Sequence, residues 1–122
     1  MSATIGGNYN FIGSTSWIST LDTQVHDSTT TLVITGISSD VAFPVDRIQL
    51  TITKYKGVTG TFGIVLGEAN AYYYHNGIYY TALGGIVSIT HVYSDRLVGY
   101  FNFINSNSTL DVTNGAFIVL KP

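Results

Sequence analysis

The chain has 122 residues, 45% hydrophobic and only 10% charged, with a formal net charge of −2 and a mean hydropathy of +0.28. Intrinsic disorder is excluded, because it requires low hydrophobicity and high charge, and no apolar run reaches the ~18 residues of a spanning helix. Five basic residues, Arg47, Lys54, Lys56, Arg96 and Lys121, are scattered along the sequence, so the clustered basic footprint of a nucleic-acid or membrane-surface binder is missing. Cysteine is absent, which removes disulfides, thiol catalysis and thiolate metal sites. Met1 leads directly into Ser2-Ala3-Thr4 without a charged or apolar leader segment, so no signal peptide is expected in this stretch.

Ile, Val, Thr, Tyr and Phe dominate, and Glu occurs once, at Glu68. That composition favours strands over helices. The first 40 residues hold Trp17 between Ser16 and Ile18 in an expected strand, and the Thr-rich Ser28–Thr31 reads as a loop entering another. Ser38 to Asp46 is expected to be a loop, since Pro44 cannot join a ladder. Arg47 to Tyr55 alternates, with Ile48, Leu50 and Ile52 on one face and Gln49, Thr51 and Thr53 on the other. Tyr72 to Tyr80 carries Asn76-Gly77 at its centre, a strong signal for a two-residue hairpin turn. Gly85 to Tyr93 sets Val87 and Ile89 against Ser88 and Thr90, and His91 is expected to follow Val87 and Ile89. Ser94-Asp95 forms a tight turn into Leu97 to Ile104, where Leu97, Phe101 and Phe103 share a face. Asn105–Ser108 turns the chain again, and Leu110 and Val112 alternate with Asp111 and Thr113. Asn114-Gly115 reads as a bulge inside one long last strand rather than a turn. Ala116 to Leu120 is apolar at every position, which suits a strand covered on both sides. The repeated Gly-x-Phe of residues 60–62, 99–101 and 115–117 reads as a bend or bulge followed by a core side chain.

Together these elements describe a single all-β domain over residues 1–122. Short connections require antiparallel neighbours, and hiding the sheet edges requires closure. The expected fold is an antiparallel meander of about eight or nine strands closed into a calycin-like barrel or barrel-like sandwich.

Gly57–Phe62, Ala71–Tyr73, Gly85–Thr90, Arg96–Phe103 and Val112–Phe117 occur in an order and spacing that resembles a family of small, uncharacterised, exported, lipoprotein-like β domains of Bacteroidetes. The resemblance covers residues 47–120, with a looser fit over the first 40. It implies an extracellular, periplasmic or cell-surface location and brings no catalytic residue, cofactor or ligand.

Chemistry-bearing motifs are sparse. His26, His75 and His91 have no metal-ligand spacing, no nucleophile elbow accompanies the many serines, and the glycine pairs feed strands rather than helices. No metal, cofactor or catalytic residue is therefore assigned. Most acids, Asp95 among them, fall where turns and loop ends are expected and read as local caps. The tyrosine hairpin stands out. With a two-residue turn, Tyr72, Tyr74 and Tyr79 line one face, while Tyr73, Tyr80, His75 and Ile78 line the other. An exposed face of tyrosines could stack on a sugar or anchor a protein, and cross-strand packing that stabilises the hairpin is the alternative. Trp17 carries the same ambiguity, with core or rim packing the expected role. Ligand or interface candidates are thus Trp17, Tyr72, Tyr73, Tyr74, His75, Tyr79 and Tyr80. The expected function is a non-enzymatic exported binding or accessory domain for a small ligand, glycan or protein. A self-assembling surface or filament subunit, homo-oligomeric through exposed strand edges and low-charge faces, comes second. An enzyme comes last.

Overall fold

The computed structural model describes residues 1–7, 9–21, 30–38 and 46–120, the side chains of 17–21 excepted. Nine strands run in chain order: β1 (Ser2–Ile5), β2 (Tyr9–Leu21), β3 (Thr30–Ser38), β4 (Arg47–Tyr55), β5 (Gly60–Gly63), β6 (Ala69–His75), β7 (Ile78–Val92), β8 (Arg96–Asn105) and β9 (Val112–Leu120). Every pairing is antiparallel. Of the expected loop from Ser38 to Asp46, Ser38 ends β3, while residues 39–45 with Pro44 lie outside the described residues, as does His26.

Eight strands close into a ring in the order β1-β2-β3-β4-β6-β7-β8-β9, with β1 paired to β9, and β5 attaches to the side of β7. The expected meander is therefore present, interrupted once where β5 leaves the ring between β4 and β6. Two long strands serve both layers of the resulting barrel-like sandwich. β2 pairs with β1 through Tyr9–Ile12 and with β3 through Gly13–Leu21. β7 pairs with β6 through Ile78–Thr81, then bends and pairs with β8 from Ala82 onward. The bend falls at a bulge between Ala82 and Gly84, followed by Gly85 at φ +129°. Such corners let one strand change sheets.

Strand parity puts the apolar residues inside. Ile48, Leu50 and Ile52 are all fully buried and belong to one hydrophobic core with Leu97, Phe101 and Phe103. Asn76 and Gly77 both have positive φ, 51° and 78°, and the register Tyr74↔Tyr79 and Tyr73↔Tyr80 follows from that turn. Asn114 at φ 51° sits where β9 shifts register against its neighbours, so the Asn114-Gly115 bulge lies within one continuous strand.

Two expectations require correction. Ala116 to Leu120 is not covered on both sides: Phe117 and Val119 are buried, but Ile118 is 63% and Leu120 69% exposed. Only one layer packs against β9, so its outer face meets solvent. His91 does not share the face of Val87 and Ile89. A register shift between Ile89 and His91 reverses the parity, and His91 is exposed and stacks on Tyr93 at 5.8 Å. The Gly-x-Phe pattern at residues 99–101 and 115–117 does place Phe101 and Phe117 in the core, with Gly115 at the β9 bulge, and both glycines also leave space across the ladder. Gly99 pairs with Phe117 and Phe101 with Gly115, and a Cβ on either glycine would stand 2.5 Å from the opposing ring. Each ring thus occupies the place of a missing side chain across the ladder, and the two rings stack at 6.3 Å.

Candidate functional site

The cavity at one end of the ring is built from strand ends. Asp46 immediately precedes β4. Its parity matches that of Ile48 and Leu50, so it points inward and is only 3% exposed. β6 directs Ala71, Tyr73 and His75 to the same side, with Tyr73 fully buried and His75 at the rim. Closure of β1 on β9 adds Ile5 and Gly6, and Tyr9 begins β2 beside them. Thr109 and Leu110 come from a single 3₁₀ turn, Ser108–Leu110, between β8 and β9. Asn105 and Asp111 hold that turn in place: the Asn105 amide donates to Asp111 Oδ1 at 3.1 Å, and Asn105 Nδ2 donates to the Leu110 carbonyl at 2.9 Å. These residues enclose a cavity of about 330 Å³, within the range of small-molecule sites.

The polar part of this cavity is one connected cluster. Tyr73 donates its hydroxyl to Asp46 Oδ2 at 2.6 Å, and His75 Nδ1 lies 2.9 Å from Asp46 Oδ1. A carboxylate only accepts, so the imidazole proton sits on Nδ1. Nε2 is then left to accept from Asn76 Nδ2 at 3.1 Å. The His75 ring stacks on that of Tyr73, with centroids 5.6 Å apart. Burial raises the Tyr73 phenol well above its ordinary value, and the hydrogen bond to Asp46 and that carboxylate's charge push the same way.

Burial also raises the Tyr55 phenol. Because the folded chain holds these protons more tightly than the unfolded chain, their contribution to stability is complete below the unfolded tyrosine value of about 10 and is lost as pH rises through the folded values. Urea midpoints should therefore stay level to about pH 9 and fall beyond about pH 10, with the last phenolate absorbance developing together with unfolding. Level midpoints with all tyrosines ionised would contradict the buried Tyr73–Asp46 bond.

The sequence candidates divide between two faces. Tyr73, His75 and Tyr80 face inward, and Tyr73 and His75 line the cavity. Tyr72, Tyr74 and Tyr79 face outward and pack on one another, Tyr72–Tyr79 edge to face at 5.1 Å and Tyr74–Tyr79 tilted at 4.7 Å. Tyr72 donates to Gln49 Oε1 at 2.9 Å, and the Arg47 guanidinium lies 5.7 Å from the Tyr74 ring centre. Tyr79 is the most exposed of the three at 59%. Trp17 lies on β2 opposite Ile34, and its side chain is outside the description. Asp46, Tyr9 and Leu110 were not among the expected site residues. Asp46, expected with the other acids at a loop end, continues the inward row of β4.

Two other hollows are larger but lack this character. One of about 400 Å³ lies against the β5–β6 connection and Lys54 and Lys56, and none of its lining residues is buried. The other, about 490 Å³, is a shallow groove on the outside of β1, β8 and β9. No group of three or more metal-ligating side chains occurs among the described residues. In comparisons of the chain with protein-family models, curated proteins and solved structures, none matched.

Proposed function

We propose that this chain is a non-enzymatic, exported binding domain that takes a small, largely apolar molecule at the mouth of its strand ring. The observation that carries the proposal is the Asp46–Tyr73–His75 cluster at the wall of an otherwise apolar cavity, because a few convergent polar groups in an apolar concavity are what fix a ligand's orientation. Binding is favoured over catalysis by the engagement of each group. Both Asp46 oxygens hold donors, His75 Nε2 is turned to Asn76, and the Thr109 hydroxyl donates to Asn107 Oδ1 at 2.6 Å. The resemblance to exported β domains supports an extracellular or periplasmic location. A fragment library of small aromatic and alkyl molecules, screened by amide chemical shifts, tests the proposal. Hits should perturb Ile5, Gly6, Leu110 and His75 together. Hits confined to the outer tyrosines would transfer the site to the hairpin.

Self-assembly is the second proposal. Each of the eight ring strands has a partner on both sides, but among the described residues Ser14–Leu21 of β2 pair only with β3 and Phe117–Leu120 of β9 only with β8, so edge segments besides that of β5 stay available for assembly. The outer sheet face offers more, since Ile12, Tyr100, Ile104, Ile118 and Leu120 are 44–69% exposed. Light scattering at high concentration decides it, and a persistent monomer removes it.

A further inference from the structure

The chemical class of the ligand can be argued from the charges around the cavity, given the binding site proposed above. Asp46 is a carboxylate with a side chain only 4% exposed, and its two partners are a phenol and an imidazole. Asp46 supplies the one carboxylate of the cluster, in largely apolar surroundings. Among the described residues two donors reach the carboxylate, one on each oxygen, which leaves lone pairs for a further donor.

Strand directions place the described Lys and Arg residues elsewhere. Lys54 and Lys56 lie at the far end of β4 and just beyond it, and Arg96 begins β8, whose opposite end, Asn105, is the one near the cavity. Arg47 is next to Asp46 in sequence, but opposite parity puts it outside, over the Tyr74 ring. Thus no Lys or Arg is among the described residues lining the cavity. Asp111 supports the wall beside Leu110 and adds a second negative charge at that end of the ring.

We infer that the cavity selects a small organic cation, an ammonium group carried on an apolar body, with the ammonium directed to Asp46 and the body against Ile5, Tyr9 and Leu110. A charge-assisted hydrogen bond in a site shielded from water is stronger than a neutral one. An anion would meet uncompensated repulsion, and a neutral donor would gain the hydrogen bond without the charge.

Three probes that share one aromatic body separate these cases: phenethylamine, phenethyl alcohol and phenylacetate, titrated into the whole protein at neutral pH with amide shifts as the readout. Phenethylamine should bind about tenfold or more tightly than either of the others, with shifts at Gly6, Thr109 and Leu110. In Asp46→Asn, with folding checked by circular dichroism, that preference should disappear. Equal or tighter binding of the alcohol or phenylacetate at the same amides would overturn the cation preference while leaving the cavity as a binding site. A preference that survives in Asp46→Asn would also overturn it. If no probe shifts those amides, both the ligand class and the site fall. Because the comparison among probes is made on the wild-type protein, it stands even where Asp46→Asn fails to fold.

Discussion

Gly85→Ala is expected to destabilise the protein by about 3–5 kcal/mol, whereas Gly84→Ala stays within about 1 kcal/mol of the parent. The two glycines are neighbours in the corner of β7, yet their surroundings differ. Gly85 has φ +129°, and a Cβ there would stand 2.1 Å from the Asn102 carbonyl oxygen and 2.6 Å from the Phe103 Cα. Both obstacles are backbone of the paired strand β8, so relief requires opening the ladder that joins the two layers. At Gly84 the nearest atoms are side-chain carbons of Val65 and Ile104 at 3.5 Å and beyond, which is ordinary contact. Against a total stability of roughly 5–15 kcal/mol, the first change removes a large share. Thermal melts of the two variants check this directly, and equal melting temperatures would contradict the corner geometry.

Asp46→Ala should cost about 2–4 kcal/mol, more than any surface carboxylate in the chain. It removes two short hydrogen bonds and leaves the Tyr73 hydroxyl, on a residue only 1% exposed, with only the longer 3.3 Å contact to His75 Nδ1. His75, with its side chain 32% exposed, can turn to water and suffers less. The cost should therefore be lower in the absence of the hydroxyl. In a double-mutant cycle, Asp46→Ala with Tyr73→Phe should be less destabilising than the sum of the single changes by about 1–2 kcal/mol. Additive values from urea denaturation would mean that the Tyr73–Asp46 bond contributes nothing. In contrast, Asp95→Ala should be within about 0.5 kcal/mol of the parent, since Asp95 is exposed and its contact with Arg96 at 3.3 Å is a surface pair.

Much of this site lies in strand parity. The alternation Ile48, Leu50, Ile52 extends one step back to residue 46, which puts an aspartate in an inward row. The same extension along Ala71, Tyr73 and His75, combined with the Asn76-Gly77 turn, brings two more polar side chains inside. A carboxylate in an inward row was the available signal, and assigning the acids to caps as a class passed over it. Other parts were not legible locally. Leu110, Thr109 and Gly6 join the site only because β1 closes on β9, a contact between the two ends of the chain. The exposure of Ile118 and Leu120 follows from the ring having only two layers, which an apolar run cannot announce. Bulges also defeat a period-two count, as at His91, where one shift of register turns an inward position outward.

The outer tyrosines and the cavity compete as the site of the proposed ligand, and one comparison separates them most directly. Leu110→Trp would fill the cavity mouth, while Tyr79→Ala would remove the most exposed ring of the hairpin. With a fragment that binds the wild-type protein, Leu110→Trp should lower affinity by about 30-fold or more, and Tyr79→Ala should change it by less than about threefold. Retained binding in Leu110→Trp, with loss in Tyr79→Ala, would contradict a ligand site at the mouth of the ring.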